Sequence, residues 1–187
     1  MSTPIIQTER LNLRTWLPKD FAPMAELNLD ERVMAYFPST QSPEDTQNFM
    51  DRMNKLYDER GYCFFAIELR ETSAFIGMTG LSFVDWKADF TPCVEIGWRL
   101  RRSAWNQGYA TEAATACLEF GFQQLELDEI LSFASHANLP SIAVMERIGM
   151  TKRSEFQHPK LLEHPSLNPC VLYGITIDEP IKAKYAG

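Results

Sequence analysis

The segment 105–111 (Trp-Asn-Gln-Gly-Tyr-Ala-Thr) has the residue types of an anion-binding turn at the start of a helix. Gly108 lets the backbone approach a ligand closely, and Ala110 adds little bulk. An alanine-rich helical stretch follows, and a helix start offers free backbone N–H groups and the positive end of a dipole, which suit a diphosphate. The segment lacks the glycine patterns of nucleotide-binding loops. A single glycine that only turns the chain into a helix is the alternative.

A second candidate segment, 138–150, carries polar side chains at the start of a short predicted helix. Asn138 and Ser141 lie at that start, and Gly149 ends the helix. Asn138 could serve only as an N-cap and Gly149 only as a C-cap.

One carboxylate is a candidate for proton transfer. Glu95, at the start of a predicted strand, could act as a general base directly or through water, although it could also be an exposed strand carboxylate with no role. We expect Glu112, in the following helix, to be a solvated surface charge. The three histidines, His136, His158 and His164, are too scattered to predict a metal site, and we take none of them as catalytic.

Composition limits the class of protein. The chain has 187 residues, and its 45% hydrophobic content can form a sizeable core, so we expect a single domain spanning residues 1–187. A net charge of −7 without a basic stripe argues against a nucleic-acid partner and mildly favours a cationic one. No apolar run approaches the roughly 20 residues that span a membrane, and the N-terminus lacks signal-peptide features. We therefore expect a cytoplasmic protein with no membrane partner, as a monomer or homodimer.

The cysteines are widely separated, which argues against a zinc ribbon or a disulfide framework. We expect all four to be small buried side chains: Cys63, Cys93, Cys117 and Cys170.

Hydrophobic periodicity predicts the order of the elements. Strands are expected at 5–17, 62–69, 74–84, 93–100, 130–135, 150–156 and 171–177. Helices are expected from residue 18, over 42–61, over 109–125 and over 141–148. The result is an α/β (α+β) fold with a single mixed, mostly antiparallel sheet of about seven strands flanked by about four helices.

Together these segments resemble the GNAT family of N-acetyltransferases. Segment 105–111 is similar to the family signature Gln/Arg-x-x-Gly-x-Gly/Ala, and 138–150 is similar to its Asn-x-x-Ala/Ser…Gly-Phe segment. Three further segments resemble the branch that acetylates ribosomal-protein N-terminal alanines: 8–14 (Thr-Glu-Arg-Leu-x-Leu-Arg), 75–81 and 94–100. The resemblance covers nearly the whole chain.

The resemblance implies acetyl-coenzyme A as the cosubstrate and no metal. The strand that contains Ile96, Trp98 and Leu100 should pair through its backbone with the pantetheine arm. An N–H group near Ile96 or Gly97 should stabilise the oxyanion of the tetrahedral intermediate. The backbone of the following turn should bind the diphosphate, through Asn106, Gln107, Gly108, Tyr109, Ala110 and Thr111. Asn138 and Ser141 should contact the cofactor, and the loop with His158 and His164 should border the acceptor cleft.

Two residues depart from the family pattern. Trp105 stands where many members have Gln or Arg, although a bulky aromatic is familiar in this branch. Met145 stands where many relatives have a tyrosine that protonates the departing thiolate, and it cannot donate a proton. Ser141, one helical turn earlier, could donate instead. A thiol with a pKa near 8.5 also leaves readily without an acid.

We therefore predict an acetyltransferase in which a primary amine attacks acetyl-coenzyme A directly in a ternary complex. The acceptor is a protein N-terminal α-amine or a small-molecule amine, with Glu95 and Ser141 as candidate catalytic residues. The alternative is a module that binds and senses acyl-coenzyme A without turning it over.

Overall fold

A single eight-stranded sheet, in the order β1-β2-β3-β4-β5-β6-β8-β7, organises the computed structural model, which describes residues 3–182. Neighbouring strands are antiparallel except for the parallel pair β5 and β6. The elements, in chain order, are β1 (Ile6–Gln7), β2 (Leu11–Arg14), α1 (Phe21–Leu29), α2 (Pro43–Arg60), β3 (Phe64–Leu69), β4 (Phe75–Val84), β5 (Cys93–Leu100), α3 (Tyr109–Gln123), β6 (Glu129–Ser135), α4 (Leu139–Arg147), β7 (Thr151–Phe156) and β8 (Cys170–Thr176). The predicted fold class is confirmed.

The opening segment differs from the prediction of one strand over 5–17. It forms two short antiparallel strands, so the sheet has eight strands rather than about seven. Thr8 closes the turn between them, because its N–H donates to the carbonyl of Leu11 at 2.9 Å and its hydroxyl accepts from the N–H of Leu11 at 3.0 Å. This β1–β2 turn contacts the start of α3 through Thr8 and Arg10.

β5 lies at the centre of the sheet, and its two edges differ. Along β4 it is paired over its whole length, from Cys93 to Leu100. Along β6 the register contains one residue pair, Glu95 with Leu131. The two parallel strands therefore diverge after Glu95, and a wedge opens towards their carboxyl ends.

Helix α3 makes the crossover between β5 and β6, and it packs closely on the sheet. A Cβ at Gly121 would lie 2.6 Å from Cδ1 of Ile130 and 3.1 Å from Cδ1 of Leu81, so glycine permits the close approach of helix and sheet. Around this contact the helix buries Ala113, Ala114, Cys117 and Leu118. Its side chains are buried on most of its circumference, which is typical of a helix inside the core.

All four cysteines are free thiols. Cys63, Cys117 and Cys170 are buried as expected, whereas Cys93, at the first position of β5, is only half-buried. The expectation of four buried cysteines is therefore wrong at Cys93, because the first residue of a strand has cover on fewer sides than an interior one.

A buried ion pair holds the start of the chain to the sheet. The guanidinium of Arg14, which is 2% exposed, donates to both oxygens of Asp20 at 2.6 and 2.9 Å. Nη2 of Arg14 also donates to Oε2 of Glu68 at 2.9 Å, and Lys19 donates to the same oxygen at 3.0 Å. Buried charges are tolerated when they are paired and hydrogen-bonded in this way.

Replacing Arg14 with alanine should leave the carboxylate of Asp20 buried without its partner. We expect Arg14→Ala to lower the free energy of unfolding by about 3–5 kcal/mol, measured by urea denaturation. Lys55→Ala, which removes an exposed pair with Glu59, is the control and should leave stability nearly unchanged. Equal effects of the two substitutions would contradict a structural role for the Arg14 pair.

Candidate functional site

The turn between β5 and α3 presents backbone N–H groups to solvent. Gly108, with φ +78°, immediately precedes the helix, and Asn106, with φ +59°, also has a left-handed backbone. The N–H of Glu112 makes the first hydrogen bond of the helix, to the carbonyl of Gly108 at 2.9 Å. The N–H groups of Tyr109, Ala110 and Thr111 precede that bond and are therefore available to an anion.

Two side chains brace the exposed part of this turn. The indole N–H of Trp105 donates to the carbonyl of Leu100 at 2.8 Å, and the amide of Gln107 donates to the carbonyl of Ser103 at 2.6 Å. Residues 105–108 are otherwise exposed. The turn is therefore shaped by local hydrogen bonds and not by burial.

The prediction for Glu112 was wrong, since this side chain is 1% exposed and is not a surface charge. Its carboxylate accepts from the Thr8 hydroxyl at 2.5 Å, from the Arg10 N–H at 3.0 Å and from Nε of Arg10 at 2.6 Å. The apolar residues on most sides of α3 were a usable signal that Glu112 is buried, because a charge inside such a helix needs a partner. The partner itself lies about 100 residues away in the sequence, where periodicity gives no information.

The backbone of β5 faces the wedge at alternate residues. Oγ of Ser132 on β6 donates to the carbonyl of Ile96 at 2.9 Å, so the polar groups of Ile96 point towards β6. Because alternate residues of a strand direct their N–H and C=O groups to the same edge, those of Trp98 and Leu100 point the same way. The carbonyl of Leu100 receives the Trp105 indole. Trp98 therefore lies in the open stretch of this edge, between the Ile96 and Leu100 carbonyls, which both accept hydrogen bonds from side chains.

The side chains of these predicted residues do not line the wedge. Ile96 and Leu100 are buried in the core and Trp98 packs against it. Successive side chains of a strand point to opposite faces, so Glu95, Gly97 and Arg99 share the other face. The contribution of Ile96, Trp98 and Leu100 to a ligand in the wedge is thus through the backbone.

Glu95 lies where the wedge begins, opposite Ser82 on β4 and Leu131 on β6. It is half-buried, and burial raises the pKa of Glu95 to about 7, although nearby Lys160 acts in the opposite direction. A carboxyl with a pKa near neutrality can accept a proton at physiological pH and release it again. Glu95 is therefore not the fully exposed strand carboxylate that the sequence left open.

Helix α4 begins beyond the carboxyl end of β6, as α3 begins beyond the carboxyl end of β5. Oδ1 of Asn138 accepts from the N–H of Ser141 at 3.2 Å, so Asn138 is the N-cap of α4. Ser141 is half-buried, and Met145, one turn later, is 1% exposed. Because β5 and β6 are parallel, the two helix starts lie at the same end of the sheet, where open sheets bind ligands.

An aromatic cluster that the sequence analysis missed lies around His158. The His158 ring is 4.7 Å from Trp86 and 5.7 Å from Phe133, and Phe90 and Phe156 complete the cluster. All five rings are half-buried, and burial together with nearby Lys160 lowers the pKa of His158. They come from segments that are distant in the sequence, so no local pattern could reveal them.

The other two histidines lie apart from this cluster. Nδ1 of His136, which is exposed, lies 2.9 Å from the carbonyl oxygen of Pro169, and the half-buried His164 sits in the loop between β7 and β8. Within residues 3–182, no group of three or more His, Cys, Asp or Glu side chains could hold a metal ion. In the same described part of the chain, no helix has both the length and the apolar character to cross a membrane.

The raised pKa of Glu95 predicts a pH-dependent stability. The unfolded value is about 4.3, so ionisation is harder in the folded protein than in the unfolded one. Wild type should therefore lose stability relative to Glu95→Gln as the pH rises from about 4.5 to about 7, by at most about 4 kcal/mol. Urea denaturation across pH 4–8 measures the difference, with Glu129→Gln, which removes an exposed carboxylate, as the control. A pH-independent difference would contradict the raised pKa.

Comparison with known proteins gives the family. Residues 10–151 match the model of the acetyltransferase (GNAT) domain. The uncharacterized N-acetyltransferase YnaD of Bacillus subtilis (strain 168) is 33% identical over 153 residues, which cover 81% of this chain and 85% of the relative. The solved structure of a GNAT-family acetyltransferase from Bacillus anthracis has a TM-score of 0.78 at 30% identity, covering 93% of this chain and 99% of that chain.

A more distant structure shares the fold. Ribosomal L7/L12 alpha-N-protein acetyltransferase, solved in complex with coenzyme A, has a TM-score of 0.73 at 20% identity, covering 91% of this chain and 96% of that chain. The family model, the 33% identical relative and the Bacillus anthracis structure agree on the class of enzyme. The chain belongs to the GNAT family of acetyltransferases.

Proposed function

We propose that this protein transfers an acetyl group from acetyl-coenzyme A to a primary amine by direct attack in a ternary complex. The observation that carries the proposal is the open edge of β5, which leads from Glu95 past Trp98 to the free N–H groups at the start of α3. An extended thioester arm that ends in a diphosphate matches this edge and helix start in order and in chemistry.

The cofactor would bind mainly through backbone groups. The pantetheine arm would add to β5 as a short strand along Ile96, Trp98 and Leu100, with a wedge-facing backbone N–H near Ile96 polarising the thioester carbonyl. The backbone of Gly97, the other position that the sequence suggested, faces β4 instead, where its carbonyl accepts from the Thr79 hydroxyl. The diphosphate would accept hydrogen bonds from the turn and helix start: Asn106, Gln107, Gly108, Tyr109, Ala110 and Thr111. Asn138 and Ser141, at the start of α4, would contact the cofactor from the β6 side of the wedge.

In the reaction the neutral amine attacks the thioester carbon, its extra proton passes to a base, and the carbon–sulfur bond breaks to release the thiol. Glu95 is the proposed base. An α-amine with a pKa of about 8 has a substantial neutral fraction at pH 7, whereas a lysine side chain at about 10.4 has very little. A carboxylate with a pKa of about 7 suits the first better.

Ser141 is the proposed proton donor to the departing thiolate. Met145 is buried and cannot donate, while Ser141 is half-buried one turn earlier on α4. Because a thiol with a pKa near 8.5 is already a good leaving group, the contribution of Ser141 should be smaller than that of Glu95.

The acceptor that we favour is a protein N-terminal α-amine. Support comes from the resemblance of the opening motif to the ribosomal-protein branch and from the shared fold with the L7/L12 alpha-N-protein acetyltransferase. The net charge of −7 favours cationic acceptors of either kind, so a small-molecule amine is the second candidate.

Glu95→Gln should lower kcat/KM at pH 7 by at least about 100-fold with an α-amine acceptor. Below pH 7 the wild-type kcat/KM should depend on two ionisations, those of Glu95 and the amine, whereas the variant should retain only that of the amine. Thiol release from acetyl-coenzyme A, followed over pH 5.5–9 with a panel of peptides and small amines, measures both effects. Glu129→Gln is the matched control, because it removes an exposed carboxylate at the start of β6.

The same assay separates the enzyme from the alternative of an acyl-coenzyme A sensor. That alternative has some support from Met145, which stands where many relatives have a proton-donating tyrosine. A sensor would bind coenzyme A in calorimetry and release no thiol with any amine. If an amine is acetylated but neither Glu95→Gln nor Ser141→Ala slows the reaction, the catalytic assignments are wrong although the family is right.

A further inference from the structure

The β1–β2 turn, at the opposite end of the sequence, lies against the start of α3. Glu112 receives three hydrogen bonds from it, one from the Thr8 hydroxyl and two from Arg10. Arg70 holds the other side of the same turn, because its Nη1 donates to the carbonyls of Thr8 and Glu9 at 2.7 and 2.9 Å. The turn is therefore fixed from both sides.

The Arg10 side chain also contacts the turn before α3, where we propose that the diphosphate binds. Nη1 donates to the carbonyl of Gln107 at 3.0 Å, and the guanidinium lies over the Tyr109 ring at 4.6 Å. Nη2 lies 3.3 Å from the position that a Cβ on Gly108 would occupy. One planar side chain thus contacts the residues before, at and after the glycine where a diphosphate would lie.

The charges explain why an arginine is needed at this place. Glu112 is a buried carboxylate in the first turn of α3, one residue after Thr111, and by itself it would repel a diphosphate. Arg10 neutralises it through Nε. The Arg10 side chain is still 44% exposed, and its Nη2 lies beside Gly108.

We propose that Arg10 binds the diphosphate of coenzyme A through the Nη2 edge of its guanidinium, and that Thr8 and Glu112 are positioning residues that hold Arg10 in place. This inference rests on the proposed function. It adds one side chain to a diphosphate site that is otherwise formed by backbone groups. Arginine suits the role because its fork can donate to Glu112, to the Gln107 carbonyl and to a phosphate oxygen at the same time.

Calorimetry with three probes tests the proposal: coenzyme A, dephospho-coenzyme A, which keeps the diphosphate, and pantetheine, which lacks it. Arg10→Gln should raise the Kd for the first two by about 10- to 100-fold, the range of a charge-assisted hydrogen bond, and leave that for pantetheine unchanged. Coenzyme A binding should also become less sensitive to salt. Arg10→Lys, which keeps the charge but not the fork, should fall between wild type and Arg10→Gln.

Two variants separate contact with the ligand from support of the turn. Arg70→Gln loosens the same turn without touching residues 107–109, so it should leave the preference for coenzyme A over pantetheine intact. Thr8→Val removes a hydrogen bond that orients Glu112 without changing any charge, so it should weaken binding of the two diphosphate ligands only, and by less than Arg10→Gln. Thermal unfolding confirms that each variant is folded, and Arg10→Lys serves as the test if Arg10→Gln is not.

The outcomes are distinct. If wild type binds none of the three probes, the proposed function itself fails. If wild type binds coenzyme A and Arg10→Gln binds all three probes as wild type does, Arg10 has no role in the site. Equal weakening of all three probes in Arg10→Gln, or the same selective loss in Arg70→Gln, would overturn direct contact in favour of a structural latch.

Discussion

The divergence of β5 and β6 is the constraint on which the rest of the site depends. Two parallel strands paired at one position leave backbone groups of β5 facing space, and buried polar groups of the backbone require partners. Ser132 and the Trp105 indole satisfy the edge at its two ends. The stretch at Trp98 between them is an incomplete sheet, which an extended ligand with amide groups can complete as another strand would.

Parallel pairing also determines where the two helix starts lie. A parallel connection requires a crossover, here α3, which starts at the carboxyl end of β5 and carries the chain back to the amino end of β6. Both α3 and α4 therefore begin beyond the carboxyl ends of the strands that form the wedge. Gly108 gives α3 its left-handed entry, and Asn138 caps α4. A ligand that lies along β5 meets an electropositive helix end without any further arrangement.

The sequence was informative wherever the deciding interaction was local. Strand and helix periods and the glycine before α3 all act within a few residues, and these elements, among them the helix expected over 42–61, are present as expected. The errors lie where distant contacts decide. The partner of Glu112, Arg10, lies about 100 residues away in the sequence. The Thr8 turn that splits the first strand is the exception, because it is closed by local hydrogen bonds with Leu11. The half-buried state of Glu95 likewise depends on strands and loops that pack from elsewhere in the chain.

The position of Glu95 connects the fold to the chemistry. Glu95 occupies the last paired position before the wedge, so it is enclosed by neighbouring strands while lying next to the place where the thioester would end. Burial there raises its pKa to about 7, which makes the carboxylate a stronger base than an exposed glutamate. On the proposed function, proton transfer from an α-ammonium group with a pKa of about 8 to Glu95 is then unfavourable by only about one pKa unit, whereas from lysine it is unfavourable by more than three. The same geometry that opens the sheet thus favours an acceptor amine of low pKa.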